Sequence, residues 1–179
     1  MIQTPNFWTN DERGQAAMEL AILVPILFLM MFGVYQLARV FYTYHTLQKA
    51  FRGGAGILAR TSNVNYCDPG DPAMLSTQNI VVFGNPQGQG DPVVQGLTVD
   101  MVQITPERVT SGATVQCDCG SGNADSCDIT SGGRAPDFVV VNNIGGTTPL
   151  GFPLSVLFPY VNLGTINLRV SVRMAVTGG

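Results

Sequence analysis

Charge is what this chain has least of. Only 12% of its 179 residues are Asp, Glu, Lys or Arg, about half the roughly 25% of an ordinary soluble domain. Nine basic groups against twelve acidic ones leave a formal net charge of −3. That balance excludes a basic surface able to hold a nucleic acid backbone by counterion release, and it excludes disorder driven by like-charge repulsion. Histidine is nearly absent: His45 stands alone, flanked by Tyr44 and Thr46 in a helical stretch with no candidate nucleophile near it, so no catalytic triad is visible. G-x-S-x-G, H-E-x-x-H and G-x-x-x-x-G-K-[ST] are all missing. The clusters Gly88-Gln89-Gly90 and Gly145-Gly146 lack the strand and helix context of a dinucleotide site and read as turns. What is abundant is Gly (21) and Pro (11), which makes the chain rich in turns. It has no G-X-Y repeat, so it is not collagen-like.

The apolar residues are unevenly spread. From Ala16 to Leu37 the sequence reads AAMELAILVPILFLMMFGVYQL, in which Glu19 is the sole acidic or basic residue. As a helix this run reaches about 33 Å, enough to cross a hydrocarbon core of roughly 30 Å. Leu20 to Tyr35 offers no polar face around its circumference, unlike the core helix of a soluble protein. The fourteen residues before the run, MIQTPNFWTNDERG, lack a basic n-region, and no small-residue cleavage site follows the apolar stretch, so a secretory signal peptide does not fit. The run is expected to act as its own export signal and to stay attached. Beyond it the pattern becomes a stripe, with Leu37, Val40, Phe41, Tyr44, Leu47 and Phe51 at three- and four-residue spacing. One helix from Gln15 to Arg52, about 57 Å long, is predicted to leave the bilayer and end at Gly53, Gly54 and Gly56. Pro25 removes one helical hydrogen bond and is expected to kink the span or to serve subunit assembly. Glu19 needs a partner, because a carboxylate at the bilayer centre costs about 2.5–3.5 kcal/mol.

The segment Arg13-Gly14-Gln15-Ala16-Ala17-Met18-Glu19-Leu20 followed by AILVPILFLMMFG resembles the N-terminus of type IV pilin-like proteins, and specifically of the TadE-like family. Tyr35–Arg60 is similar to that family's aromatic helix with its small-residue, arginine-containing end. Asp137–Asn142, PLGFPLSVLFPYVNLG and the final strand through Val172-Arg173-Met174-Ala175 resemble its C-terminal strand, short amphipathic segment and closing strand. The resemblance implies a prepilin. Residues 1–14 would be a leader, cut after Gly14 by a membrane peptidase, with Gln15 as the new N-terminus. Glu19 would then neutralise the amine freed on a neighbouring subunit. Leu20 departs from the pattern, standing where the family often has an aromatic residue.

Residues 61–179 carry nine acidic and four basic groups and read as β-rich. Strands are predicted at 79–83, 97–104, 114–117 and 138–141, and the last at 166–176, where apolar and polar residues alternate. Asp68-Pro69-Gly70-Asp71-Pro72 is a turn signal. Cys67, Cys117, Cys119 and Cys127 all lie in this part and none in the span, which fits two disulfides in an oxidising compartment. A Cys117–Cys119 bond would be strained, so Cys67 is expected to join one of that pair and Cys127 the other. A four-thiolate zinc site lacks the C-x2-C spacing. Asp118, Asn123, Asp125 and Asp128 crowd one loop, but their order does not match an EF-hand, so a calcium site there is the lesser reading and no cofactor is expected.

Arg39, Lys49 and Arg52 outnumber Arg13 across the span and would by charge alone place the large domain in the cytoplasm. The cysteines and the resemblance favour export instead, and basic residues on a continuing helix are less diagnostic than those in a short loop. The expected class is α+β, with a long membrane-spanning helix packed by its amphipathic half on an antiparallel β-rich domain. The expected role is that of a non-enzymatic subunit of an extracellular Tad-type filament or its assembly complex. Its partners would be the bacterial inner membrane, other pilin subunits, a prepilin peptidase and the assembly platform. An anchored extracytoplasmic binding domain or hydrolase is the alternative.

Overall fold

The computed structural model describes residues 11–120, 126–143, 152–158 and 161–178, and for residues 11–13, 155–158 and 161–163 it describes the backbone only. Helix α1 runs Asp11–Leu58, 48 residues without a break, about 72 Å at 1.5 Å per residue. The short helix α2 (Pro72–Phe83) follows. Then come the strands β1 (Val102–Thr110), β2 (Ala113–Gln116), β3 (Phe138–Asn143), β4 (Phe152–Phe158), β5 (Val161–Leu168) and β6 (Ser171–Ala175). An antiparallel sheet of order β2-β1-β3-β6 packs on the C-terminal half of α1, and β4 and β5 form a separate antiparallel pair. The class is α+β, as expected.

The upper part of α1 is bare. Residues 14–31 are exposed throughout, and the most apolar window of the helix has none of its residues buried in the protein. Burial begins at Gln36 and continues through Thr43, Leu47, Phe51, Gly54, Ala55 and Leu58, a line at the three- and four-residue spacing of one helix face. The predicted stripe was rotated against this line. Leu37 and Phe41 are exposed, Val40 and Tyr44 are half-buried, and Leu47 and Phe51 lie at the centre of the core. Thr43 sits on the core-facing line because its hydroxyl donates to its own helix at the Arg39 carbonyl (2.9 Å), so no polar group is left bare.

The helix does not stop at Gly53, Gly54 and Gly56. Gly54 is where α2 crosses it: a Cβ there would collide with Val81 Cγ2 and lie 3.4 Å from the Thr77 carbonyl. Its missing side chain therefore brings two helices together and outweighs its poor helix propensity. Termination comes later, where the end of the chain returns to α1. Thr177 N and Gly178 N donate to the Ala59 carbonyl at 2.8 and 3.2 Å, satisfying acceptors that a helix end leaves open. The buried Tyr66 hydroxyl also donates, to the Leu58 carbonyl (3.3 Å). Burial, and secondarily the negative charge of Asp71, push its pKa up to about 12.

Three further expectations are corrected. The strand predicted at 79–83 is the second half of α2, which the preceding turn signal starts: Asp71 caps it by accepting from Ala73 N (2.8 Å), Pro72 opens it, and Gly84 closes it in a left-handed conformation (φ 74°). Its branched residues Val81 and Val82 are buried, so packing overrides their strand preference. The long last strand is two strands, broken between Leu168 and Ser171, where Asn143 accepts from Val170 N (2.7 Å) and donates to the Leu168 carbonyl (2.8 Å). This side-chain bridge replaces a ladder rung and turns β5 away from the main sheet, leaving Ile166 exposed. The amphipathic segment implied for 149–164 includes all of β4 and the start of β5, whose pairing runs from Phe152 opposite Leu168 to Phe158 opposite Val161.

The two adjacent glycines make a paired prediction. Gly53 is exposed, with nothing near its would-be Cβ, so Gly53→Ala should raise stability by roughly 0.5–1 kcal/mol. Gly54→Ala should instead lower it by about 1–3 kcal/mol through overpacking. Thermal unfolding of the detergent-solubilised chain reads both.

Candidate functional site

The residues singled out at the N-terminus all lie on α1. Gly14 ends its first turn, is exposed, and has open space around its would-be Cβ. First-turn N–H groups have no intrahelical partner, so this is where the helix frays most readily and where its backbone can be reached. Gln15 and Glu19 are one turn apart on one side of the helix, and both are exposed. Pro25 stands inside an unbroken helix. Lacking an N–H, it leaves the Ala21 carbonyl without its usual donor. Most of the segment expected to be a leader, residues 1–10, lies outside the described residues.

The four cysteines form Cys67–Cys119 and Cys117–Cys127, with Cα–Cα distances of 5.5 and 5.8 Å. This is one of the two pairings left open by the spacing. Cys67–Cys119 closes 52 residues and ties the loop after α1 to the loop after β2. Cys117–Cys127 is largely buried and pins that second loop on itself. Arg108, missed as a structural residue, sits beneath this loop with 2% exposure. Its guanidinium donates to the Ala135 carbonyl (3.2 Å), the Ser126 carbonyl (3.4 Å) and the Arg134 carbonyl. Its place on the core-facing side of β1, in a row with Val102 and Pro106, was the available signal.

Asp118 and Asp128 act as local acceptors. Asp118 accepts from Gly120 N (2.9 Å). Asp128 accepts from Ser131 Oγ and Thr130 Oγ1 (both 2.6 Å), Thr130 N (2.9 Å) and Asn65 Nδ2 (3.1 Å). Asn123 and Asp125 lie outside the described residues, and among the described residues no three His, Cys, Asp or Glu side chains group as a metal site. His45 is exposed on α1, its ring edge-on to Tyr44 at 5.9 Å.

These features place the chemistry of interest on the bare helix and the rigidity in the domain. Residues 14–55 match the family model described as TadE-like protein. This N-terminal segment, less than a quarter of the chain, is similar to TadE-like proteins. The match lies entirely within α1 and covers the junction at Gly14, Glu19, the span and the first core-facing turns. TadE-like proteins are a pilus-associated structural family. No curated protein and no solved structure matches the chain.

Hydrogen bonds from Ser131, then Thr130, hold the Asp128 carboxyl down at about 2. A carboxylate whose pKa falls on folding adds stability above its unfolded value near 3.9, and that stability is lost as pH drops through the folded value. Asp128 should therefore contribute to stability in full above about pH 4 and lose the contribution between about pH 4 and 2. Asp128→Asn should flatten the acid limb of a stability-versus-pH curve in that window and leave the slope near neutrality unchanged.

Proposed function

We propose that this chain is a pilin-type structural subunit, minor or major, of an extracellular Tad-type filament or of the inner-membrane complex that builds one. The observation that carries the reading is Glu19. It is an exposed acid on a helix long and apolar enough to span a bilayer, five residues after an accessible glycine at the edge of a TadE-like segment. Cleavage after Gly14 frees an amine on Gln15 at the apolar boundary. Two isolated charges in lipid are each costly, and pairing them across neighbouring helices removes both penalties at once when the copies are staggered so that amine and carboxylate meet. The same step turns a membrane-inserted rod into one that prefers a neighbour to lipid. Pro25 supports the reading, since the freed Ala21 carbonyl is a further acceptor on a lipid-exposed helix. The disulfides fit a domain that folds on the oxidising side of the membrane.

Glu19→Ala should leave membrane insertion intact and reduce recovery in sheared surface filaments by at least about tenfold, which corresponds to only 1.4 kcal/mol of lost assembly energy. Unchanged recovery would instead favour a monomeric anchored domain. Intact-mass measurement of the native protein should show loss of residues 1–14 and of four thiol hydrogens, and Gly14→Val should abolish the first loss alone.

A further inference from the structure

We infer that the solvent-facing stripe of α1 beyond the span docks on the α2 side of a second copy of this chain, cations against acids. The inference rests on the subunit reading above for the identity of the partner, and it names the surfaces by which neighbouring copies meet outside the membrane. The stripe is Tyr35, Arg39, Tyr42, His45, Lys49 and Arg52, at three- and four-residue spacing. All of these residues are exposed, Tyr42 at 74%. Between Glu19 and Asp68 the chain has no acidic residue, so the cations lack the i+3 or i+4 acids that support exposed helix faces. The side chains of Arg39, Lys49 and Arg52 have no hydrogen bond or ion pair among the described residues.

The rest of the chain carries the opposite charge. Residues 61–179 hold nine acidic groups and four basic ones. Of these four, Arg108 is buried, Arg134 pairs with Asp137 and Arg173 with Glu107, which leaves Arg169 uncommitted among the described residues. Asp68, Asp91 and Asp100 are exposed and, among the described residues, in no ion pair. All three lie around α2. Asp68 closes the turn just ahead of it, its carbonyl accepting from Asp71 N (3.0 Å). At the other end, Val93 N donates to the Val82 carbonyl (2.7 Å) and brings the segment of Asp91 alongside. Asp100 belongs to the short turn Val99–Met101, which touches α2. Leu75 on α2 and Val93 beside it are exposed apolar residues. The helix α2 is about 18 Å long, and Arg39 to Arg52 spans about 20 Å. Acids at the two ends of α2 therefore match cations at the two ends of the stripe, with apolar or aromatic surface between them on both sides.

The two surfaces do not meet within one copy. α2 crosses α1 at Gly54, and Lys49, five residues earlier, is about 140° away around the helix at roughly 100° per residue. Stripe and α2 thus face apart, and each is open to a neighbour. A contact between unlike surfaces of identical copies leaves one of each surface free at the ends, so it propagates unless its rotation closes a ring. Lipid does not fit as the partner of the stripe. Lys49 and Arg52 lie about 18 and 22 Å past Leu37 along the helix. That is past a headgroup layer of about 5–8 Å by more than the Debye length of about 8 Å at physiological salt. The acids that complement these two cations are those of the chain itself.

Lys49 is the only lysine of the chain, which makes the contact readable by a zero-length reagent. Isotope-labelled and unlabelled full-length chains are mixed, reconstituted in vesicles of zwitterionic lipid and treated with a water-soluble carbodiimide, which joins an amine to a carboxylate only where the two touch. The expected product is an amide between Lys49 of one copy and Asp68, Asp91 or Asp100 of another, seen by mass spectrometry as labelled peptides linked to unlabelled ones. Arg39→Glu combined with Arg52→Glu keeps the lysine and changes only exposed positions. Thermal unfolding of that variant should match the parent, while the yield of linked product falls by at least about tenfold. No Lys49 link between copies, links to other acids alone, or an unchanged yield in the charge-reversed variant would overturn the proposal. Linking that appears only in anionic vesicles would assign the stripe to headgroups and overturn it equally. Filament recovery is scored on the same chain. Filaments without the Lys49 link overturn this contact and leave the subunit reading standing, whereas the link without filaments upholds the contact and counts against the filament.

Discussion

In hydrocarbon a backbone N–H or C=O has no water to turn to, so a chain that crosses a bilayer must satisfy these groups within its own helix. That constraint shapes everything else here. It makes the span a single helix, and because α1 continues unbroken to Leu58, the same helix becomes the spine on which the domain is built. Two solvents act on one rod. Toward the N-terminus lipid tolerates an apolar surface all round. Toward the C-terminus a folded domain must cover one face, which runs from Gln36 to Leu58 and closes against α2, β3 and β6. The small residues Gly54 and Ala55 sit where this cover comes closest, and the last residues of the chain are bonded to Ala59. The helix therefore begins and ends under opposite demands, and no hinge separates them.

How much of this was legible in the sequence depended on whether a local signal and the tertiary environment agreed. The span was plain because twenty-two residues with one charge have few other uses. The strands over 102–104, 114–116 and 138–141 were also plain, since branched residues between turn signals seldom fail. The readings went wrong where packing decided against propensity. Ile80, Val81 and Val82 look like strand residues, but the Asp71 cap and Pro72 had already started a helix, and burial against Gly54 kept it. Gly53, Gly54 and Gly56 look like a stop, yet one of them is the contact itself. Leu168-Arg169-Val170 preserves a perfect alternation through a point where the chain changes sheets. The cause of that change, the Asn143 side chain, lies twenty-five residues away from Leu168. At the candidate site, Gly14 and Glu19 were visible because their spacing is local. Arg108 shared the inward-facing row of β1, but the three carbonyls that hold it come from a distant loop.

Arg108 and the two disulfides show why the distal end of the domain differs from the end near the membrane. A buried guanidinium needs partners for its donors, and here carbonyls at Ser126, Arg134 and Ala135 accept from its two terminal nitrogens, while Nε has no partner. Cys117–Cys127 and Cys67–Cys119 fasten the same loop to itself and to the segment after α1. Across the outer face of the sheet, Arg173 adds a smaller tie. It pairs with Glu107 (2.9 Å), bonds Thr114 Oγ1 (3.1 Å) and lies 3.9 Å over the Phe138 ring. It is partly exposed, so the ion pair itself adds about 0–1 kcal/mol. Its larger effect is geometric, because one side chain links β6, β3, β1 and β2.

The outcome is a domain stiff where it faces outward and joined to its helix by contacts that leave little freedom between them. For a subunit held by its neighbours through the helix, this stiffness has a consequence. In the proposed filament, a stagger set by pairing a charge at Glu19 would be carried along about 60 Å of continuous helix to Leu58 and would fix the height of each domain relative to the next. A flexible linker after the span would lose that information within a few residues. Crosslinks at the far end would preserve it, because a loop tied by two disulfides and one buried arginine would not relax to accept a misplaced neighbour. On that reading, a register set in lipid by one acid would be expressed at the surface, where the domain meets water.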